Sequence, residues 1–215
     1  MSVLATASLY DAATVIPALV LAAGKSTRMG RLKALLPAGD HDSFLSRIVR
    51  TFATAGVERT VVVLGHEAAA LRAHLASQGL APEIALNHGF EAGQLSSLLV
   101  GLDAIEQPGA EDVEAVLLML VDAPFVAPAT VRAVIERYRQ THAPIVRPVR
   151  GDEHGHPVLI DRTLFPLLRA ADPAFGAKPI VRGHVTAAGD VTVDDSGAFM
   201  DIDTPEEYAR VNGGR

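Results

Sequence analysis

The 215-residue sequence predicts an α/β protein, a three-layer α/β/α sandwich around a mostly parallel sheet. Two observations support this prediction. Short apolar runs alternate with amphipathic helical segments as far as about Gly151, at the spacing of strand–helix–strand units. Hydrophobic residues make up 49% of the chain, which is enough to fill a sizeable core between the layers.

The strand predictions rest on continuous apolar or β-branched runs. The first runs from Ala18 to Ala22 and ends just before Gly24, as expected of a buried parallel strand. The full set of predicted strands covers residues 18–22, 60–64, 83–86, 115–121, 145–149 and 158–160.

The helix predictions rest on apolar residues at helical spacing and on start and stop signals. Ser43 is a plausible N-cap and Gly56 a plausible stop for one helix, and Pro128 suits the first turn of another. The predicted helices cover residues 43–55, 67–77, 95–105, 128–140 and 205–211.

The length fits one domain. We expect an N-terminal extension over residues 1–16 and a single domain over residues 17–213, with an irregular part after about Gly151. The first charge is Asp11, so the sequence shows no basic leader segment and we expect no secretory signal.

Composition narrows the classes of function. The net charge is −6 and no run of lysine or arginine stands out, which argues against a nucleic-acid partner or a membrane surface. No apolar run is long enough to cross a bilayer. The chain has no cysteine, which excludes disulfides and thiolate chemistry and suits a cytoplasmic protein.

A glycine loop follows the first predicted strand, with the sequence LAAGKSTRMGRLK over residues 21–33. Small residues let backbone N–H groups approach a phosphate, and Arg28 and Lys33 add two cations, so the loop suits a polyphosphate. An ordinary glycine-rich turn with two solvated cations would give the same composition. Gly24-Lys25-Ser26 matches the last three positions of the P-loop pattern. That pattern also needs a glycine at position 19, where this chain has Leu19.

Carboxylates at the edges of two other predicted elements are candidate metal ligands. Asp122 ends the apolar run VLLMLVD, where it could hold a cation or serve as a turn or capping residue. Asp201 and Asp203 precede the last predicted helix, and Asp203 could likewise bind a metal or begin that helix. The eight histidines show no zinc-ligand spacing.

The glycine loop resembles the signature of the molybdenum cofactor cytidylyltransferases, within the MobA-like nucleotidyltransferase family, which has a Rossmann-like nucleotidyltransferase fold. Four further segments resemble family motifs in the same order, and the five span about residues 18–210. They are GQLSSL at 93–98, VDAPF at 121–125, GHPV at 155–158 and DIDTPE at 201–206.

The resemblance implies transfer of a nucleoside monophosphate from an NTP to a phosphorylated acceptor, with Mg²⁺ as cofactor and release of pyrophosphate. It implies three catalytic residues: Arg28, Lys33 and Asp122. It implies that the nucleotide is bound by these three and by Leu21, Ala22, Ala23, Gly24, Gly93 and Ser97. The implied metal ligands are Asp122 and Asp203, and the implied acceptor-binding residues are Gly155, His156 and Lys178.

The resemblance favours CTP over GTP, because Ala23 stands where guanylyltransferase relatives tend to have glycine. The favoured acceptor is molybdopterin or molybdenum cofactor, with a molybdoenzyme as partner. Residues 172–182 depart from the family pattern, since Lys178 replaces an arginine and the preceding Gly-Asp is absent. Two alternatives therefore stay open: another acceptor such as a sugar phosphate, and a non-catalytic nucleotide-binding or chaperone module.

Overall fold

The computed structural model describes residues 15–107 and 112–212. The predicted extension, residues 1–16, lies outside the described residues except for Val15 and Ile16. Val15 forms a parallel bridge with Val113, and its N–H donates to the carbonyl of Asp112. The chain is thus already attached to the sheet two residues before the predicted start of the domain.

The described residues form a sheet of eight strands in the order β3-β2-β1-β4-β7-β5-β6, with β8 paired to β5. Strands β1, β2, β3, β4, β5 and β8 run parallel, while β7 and the short β6 run antiparallel. The strands are β1 (Ala18–Ala22), β2 (Thr60–Leu64), β3 (Glu83–Leu86), β4 (Ala115–Leu120), β5 (Ile145–Arg150), β6 (Glu153–His154), β7 (Val158–Asp161) and β8 (Val185–Thr192).

Helices cover both faces of this sheet, so the predicted three-layer, mostly parallel architecture is confirmed. Helices α1, α2 and α4 pack on one face, and α3, α5 and α6 pack on the other. The helices are α1 (Phe44–Ala55), α2 (Ala68–Ser77), α3 (Gln94–Ile105), α4 (Pro128–Thr141), α5 (Phe165–Arg169), α6 (Lys178–Gly183) and α7 (Pro205–Asn212). Within residues 15–107 and 112–212, no helix is long and apolar enough to cross a bilayer.

Strand β1 contributes to both halves of the core. Its alternate side chains face opposite helix layers: Val20 packs with α1 and α2, whereas Leu19 packs with α3. Gly101 of α3 lies directly over Leu19, and a Cβ at Gly101 would come within 2.3 Å of Leu19 Cδ1. The absence of a side chain at Gly101 therefore lets α3 pack closely against β1.

The main differences from the sequence prediction lie after Gly151. The eight-residue strand β8 was not predicted, because its segment VTAAGDVT is largely exposed and lacks a run of large apolar residues. The short elements β6, α5 and α6 were also missed, since elements of two to six residues carry too little periodicity. The start of α1 was predicted correctly, as Ser43 accepts a hydrogen bond from Ser46 N and Gly56 ends the helix.

Candidate active site

A cavity of about 330 Å³ opens at the carboxyl ends of β1 and β4. Parallel α/β sheets bind ligands at this edge, because the loops that leave the strands meet there. The cavity is lined by most of the residues that the sequence predicted for the nucleotide and the metal, which are Leu21, Ala23, Gly24, Arg28, Lys33, Gly93, Ser97, Asp122 and Asp203. Ala22 is the exception among them, since it is 3% exposed and packs in the core on the α1 face.

The glycine loop is held in shape by its own backbone. Ser26 and Gly30 both adopt left-handed conformations, with φ of 53° and 66°, and residues 27–29 between them form one turn of 3₁₀-helix. The Ser26 hydroxyl accepts a hydrogen bond from Lys33 N at 3.1 Å, which closes the loop. The loop therefore presents its backbone and Lys33 to the cavity from a fixed position.

Lys33 lies at the centre of the polar cluster. Its Nζ is 2.7 Å from Asp203 Oδ1 and 3.3 Å from Asp122 Oδ2. Its side chain is 8% exposed, whereas that of Arg28, which binds the other oxygen of Asp203 at 3.0 Å, is 69% exposed. The protein thus buries one cation between two carboxylates and places a second cation at the rim.

Backbone contacts bring Asp203 to Asp122. Ile202 N donates to the carbonyl of Asp122 at 2.9 Å, and the Ile202 side chain is fully buried. Glu207 of α7 accepts from the N–H groups of Asp203 and Thr204, which fixes the turn into the helix. The hydrogen bond from Lys33 lowers the pKa of the Asp203 carboxyl, so this group is ionised at neutral pH.

The two carboxylates fit a divalent cation. Asp122 Oδ1 is buried and has no hydrogen-bond partner among the described residues, so this oxygen is available as a ligand. The described residues contain no group of three or more His, Asp or Glu side chains arranged for a metal. A site with two carboxylates suits an ion such as Mg²⁺, which takes its remaining ligands from water and from substrate phosphates.

Asn87 organises the wall opposite the glycine loop. Its side-chain amide donates to the hydroxyls of Ser96 and Ser97, and its Oδ1 accepts from Gly89 N. Asn87 is 4% exposed and is absent from the cavity lining, so it positions Ser97 instead of facing the cavity itself. Asn87 directly follows β3 and lies ten residues before Ser97. This position is the signal from which the sequence could have suggested the contact between Asn87 and Ser97.

The glycine loop is tied to this opposite wall by an ion pair between Lys25 and Glu91. The Lys25 Nζ also lies 5.8 Å from the centre of the Phe90 ring, which lines the cavity. Lys25 lowers the pKa of Glu91, chiefly through the hydrogen bond between them. Sequence reasoning missed this contact, because the two residues are 66 positions apart in the chain.

The predicted acceptor residues lie outside this cavity lining. A Cβ at Gly155 would come within 2.2 Å of Ala198 O, and His156 N donates to the same carbonyl, so this loop packs directly on residues 196–199. His156 Nδ1 is buried without a partner among the described residues. Lys178 is the exposed first residue of α6 and is not brought to these residues by any described contact.

Asp201 lies beside the carboxylate pair. Desolvation raises the pKa of its carboxyl, and Asp122 and Asp203 raise it further, while the neighbouring His156 and Lys33 lower it. Asp201 therefore shares one electrostatic environment with the predicted metal ligands and with the GHP loop. Its own side chain is absent from the first cavity.

The fold and the site together define a class of protein. It is an α/β protein with a mostly parallel sheet, a glycine loop after the first strand and a lysine held between two carboxylates. This arrangement suits a nucleoside triphosphate and a divalent cation. The model of the MobA-like NTP transferase domain matches residues 18–188. The chain belongs to this family of nucleotidyltransferases, whose substrates are a nucleotide and a phosphorylated acceptor and which typically use divalent metals.

Two relatives of known name align over most of the chain. Purine catabolism protein PucB of Bacillus subtilis (strain 168) is 30% identical over 198 residues, which cover 89% of this chain and 93% of PucB. Nicotine blue oxidoreductase of Paenarthrobacter nicotinovorans is 29% identical over 205 residues, covering 91% of this chain and 96% of that protein.

A solved structure is similar over nearly its whole length. Rv0371c from Mycobacterium tuberculosis H37Rv is 32% identical, with a TM-score of 0.77 over 93% of this chain and 98% of that one. A structure of Rv0371c in complex with manganese has a TM-score of 0.71 at 31% identity, over 94% of this chain and 100% of that one.

Proposed function

We propose that this protein transfers CMP from CTP to molybdopterin or molybdenum cofactor, with Mg²⁺ as cofactor and with release of pyrophosphate. The observation that carries the proposal is the position of Lys33, within 3.3 Å of both Asp122 and Asp203 at the end of a glycine loop. A triphosphate needs cationic groups and its metal ion needs carboxylates, and the two must lie close together. Lys33, Asp122 and Asp203 supply these groups in one cluster.

In the reaction, a phosphate oxygen of the acceptor attacks the α-phosphorus of the NTP. The bond from the α-phosphorus to the bridging oxygen breaks, and pyrophosphate leaves with that oxygen. The loop amides hold the triphosphate in line, while Lys33 and the exposed Arg28 neutralise charge that develops on the leaving group.

The metal would be held by Asp122 and Asp203. Bound there, Mg²⁺ would neutralise phosphate oxygens and orient the triphosphate. The unpartnered Asp122 Oδ1 supports this assignment. The oxygens of Asp203 engage Lys33 and Arg28, so both cations would have to share this carboxylate with the metal or turn toward phosphates when a nucleotide is bound.

The choice of CTP rests on Ala23. Its side chain lines the cavity while packing in the core on the α3 face, and its carbonyl accepts from His66 N at 3.0 Å. The family resemblance implies that the base lies near Ala23, and the methyl group would then narrow the space available to the base. A pyrimidine needs less space than a purine at such a position, and this is the reason for proposing CTP over GTP.

The acceptor and the partner are proposed from the family resemblance and from relatives. PucB is named for purine catabolism. A cytidylyltransferase of this kind would serve a purine-oxidising molybdenum hydroxylase by completing its cofactor. The departures at residues 172–182 leave another phosphorylated acceptor, such as a sugar phosphate, as the alternative.

Nicotine blue oxidoreductase raises a second class of activity. The buried lysine between two carboxylates favours a triphosphate with a metal ion over a redox cofactor, because hydride transfer needs no such cluster. A non-catalytic module would bind CTP without turnover, and it would have no need of both Asp122 and Asp203.

The test is an assay of pyrophosphate release from CTP, GTP, UTP and ATP, with Mg²⁺ and with molybdenum cofactor or a sugar phosphate as acceptor. We expect release from CTP that depends on molybdenum cofactor, and the largest thermal stabilisation by CTP with Mg²⁺. Stabilisation without release would indicate a binding module. Consumption of NADH or NADPH with nicotine blue, without pyrophosphate release, would indicate an oxidoreductase.

A further inference from the structure

A second cavity, of about 520 Å³, lies beside the first. None of the residues assigned above to the nucleotide or the metal lines it. Its walls combine apolar side chains with charges of both signs: Phe199, Met200 and Val211 are apolar, Asp201 and Glu207 are acidic, and Arg150 and Arg210 are cationic. Glu207 already accepts hydrogen bonds from the backbone, so the two guanidinium groups are the charged donors that this cavity offers to a ligand. Such a combination recognises an anion attached to an apolar or planar body.

The two arginines are held differently. The Arg150 guanidinium lies 4.5 Å from the centre of the Phe199 ring and pairs with Glu153 at 2.8 Å, so its orientation is set. Arg210 projects from α7 and forms no ion pair with the residues that the structure describes. The site therefore offers one fixed guanidinium and one that is able to turn toward an incoming anion.

One short segment connects this cavity with the reaction centre. Asp201 lines the second cavity and Asp203 lines the first, while Ile202 between them is bonded to the backbone of Asp122. A molecule in the second cavity would thus lie beside the two carboxylates and Lys33. The loop with His156 packs on Ala198, close to the same wall.

We propose that this second cavity binds the phosphorylated acceptor, with Arg150 and Arg210 on its anionic groups and Phe199 and Met200 against an apolar or planar body. The inference rests on the proposed function, because it assumes an acceptor whose phosphate must reach the first cavity. It moves acceptor recognition from the exposed Lys178 of α6 to the segment between β5 and α7.

The test measures binding of two probes, inorganic phosphate and para-nitrophenyl phosphate, to the full chain by calorimetry. CTP and Mg²⁺ are kept at saturation so that the first cavity is filled, and the titration is repeated in Lys33→Ala to weaken phosphate binding there. The variants are Arg150→Gln, Arg210→Gln and their combination. Arg139→Gln, an exposed arginine of α4 outside both cavities, is the charge-matched control.

We expect the wild type to bind the aromatic ester more tightly than phosphate, and the combined variant to lose about tenfold in affinity for both. Phe199→Leu should weaken the aromatic ester more than phosphate. Arg139→Gln should bind both probes as the wild type does, and all variants should melt at the wild-type temperature.

The inference is overturned if the combined variant binds both probes as the wild type does, or if Lys178→Gln loses affinity and the arginine variants do not. The proposed function is judged separately, by thermal stabilisation with CTP and Mg²⁺ in the absence of either probe. If CTP fails to stabilise the wild type, the nucleotide assignment is wrong. The titration of Lys33→Ala would still show whether the second cavity binds the two probes.

Discussion

Lys33 Nζ lies 2.7 Å from Asp203 Oδ1, although the two residues are 170 positions apart in the chain. The contact joins the loop after β1 to the segment before α7, and Asp122 at the end of β4 completes the cluster at 3.3 Å. One buried lysine therefore links three separate parts of the chain at the carboxyl edge of the sheet.

Lys33→Ala should lower the rate of pyrophosphate release about a hundredfold, because loss of one charge-assisted contact in a transition state costs about 3 kcal/mol. The side chains of Asp122 and Asp203 are 21% and 33% exposed, so water is able to reach them and the fold should persist. Arg28→Ala should also slow release, with no loss of stability, since this side chain is 69% exposed. Melting temperature is the control. Near-normal rates in both variants would show that the glycine loop is an ordinary turn without a role in binding the triphosphate.

The ion pair of Lys25 with Glu91 should support nucleotide binding by joining the two walls of the first cavity. Lys25→Glu and Glu91→Lys should each weaken CTP binding by about two- to fivefold, as expected for an exposed pair. The variant with both changes should recover most of the loss, as measured by calorimetry. Failure of the double reversal to recover affinity would mean that the pair does not hold the walls together.

Gly155→Ala should destabilise the protein by about 2 kcal/mol, since the added methyl group would overlap a backbone carbonyl that cannot move freely. Its ideal Cβ position is 2.2 Å from Ala198 O. Gly183→Ala is the matched control, because nothing lies within 4 Å of a Cβ there. Chemical denaturation measures both, and equal stability of the two variants would contradict the close packing of this loop.

Ala23→Gly should change the nucleotide preference toward GTP. The substitution removes the methyl group that lines the cavity and leaves the backbone bond to His66 in place. The ratio of thermal stabilisation by CTP to that by GTP, each with Mg²⁺, should fall relative to the wild type. An unchanged ratio would remove Ala23 as the determinant of the base and leave the family membership unaffected.

The sequence was most informative where large apolar residues repeat. Strands β1 to β5 and helices α1 to α4 follow from such runs, and the order of strand and loop places Asp122 at the same edge as the glycine loop. The contact of Lys33 with Asp203 could be expected only from the resemblance, because periodicity does not show how the last helix returns to the first loop. Strand β8 was missed because VTAAGDVT is largely exposed and lacks a run of large apolar residues. It approaches β5 so closely that a Cβ at Gly189 would lie 1.9 Å from Ile145 O.

The rim of the site was harder to predict. Asn87 is absent from the cavity lining, and its amide holds Ser96 and Ser97 in place. The pair of Lys25 with Glu91 and the stacking of Arg150 on Phe199 depend on loop geometry. No local pattern in the sequence encodes such contacts between distant loops.

If Asp122 holds the metal ion of a nucleotidyl transfer, removal of its charge must change how the rate of pyrophosphate release from CTP depends on Mg²⁺ concentration. Asparagine has nearly the same shape as aspartate and caps about as well, so Asp122→Asn removes charge and little else. We expect that Asp122→Asn nearly abolishes release and that its residual rate requires much more Mg²⁺, with an unchanged melting temperature. A wild-type rate with wild-type Mg²⁺ dependence in Asp122→Asn would show that Asp122 is not a ligand of the metal ion.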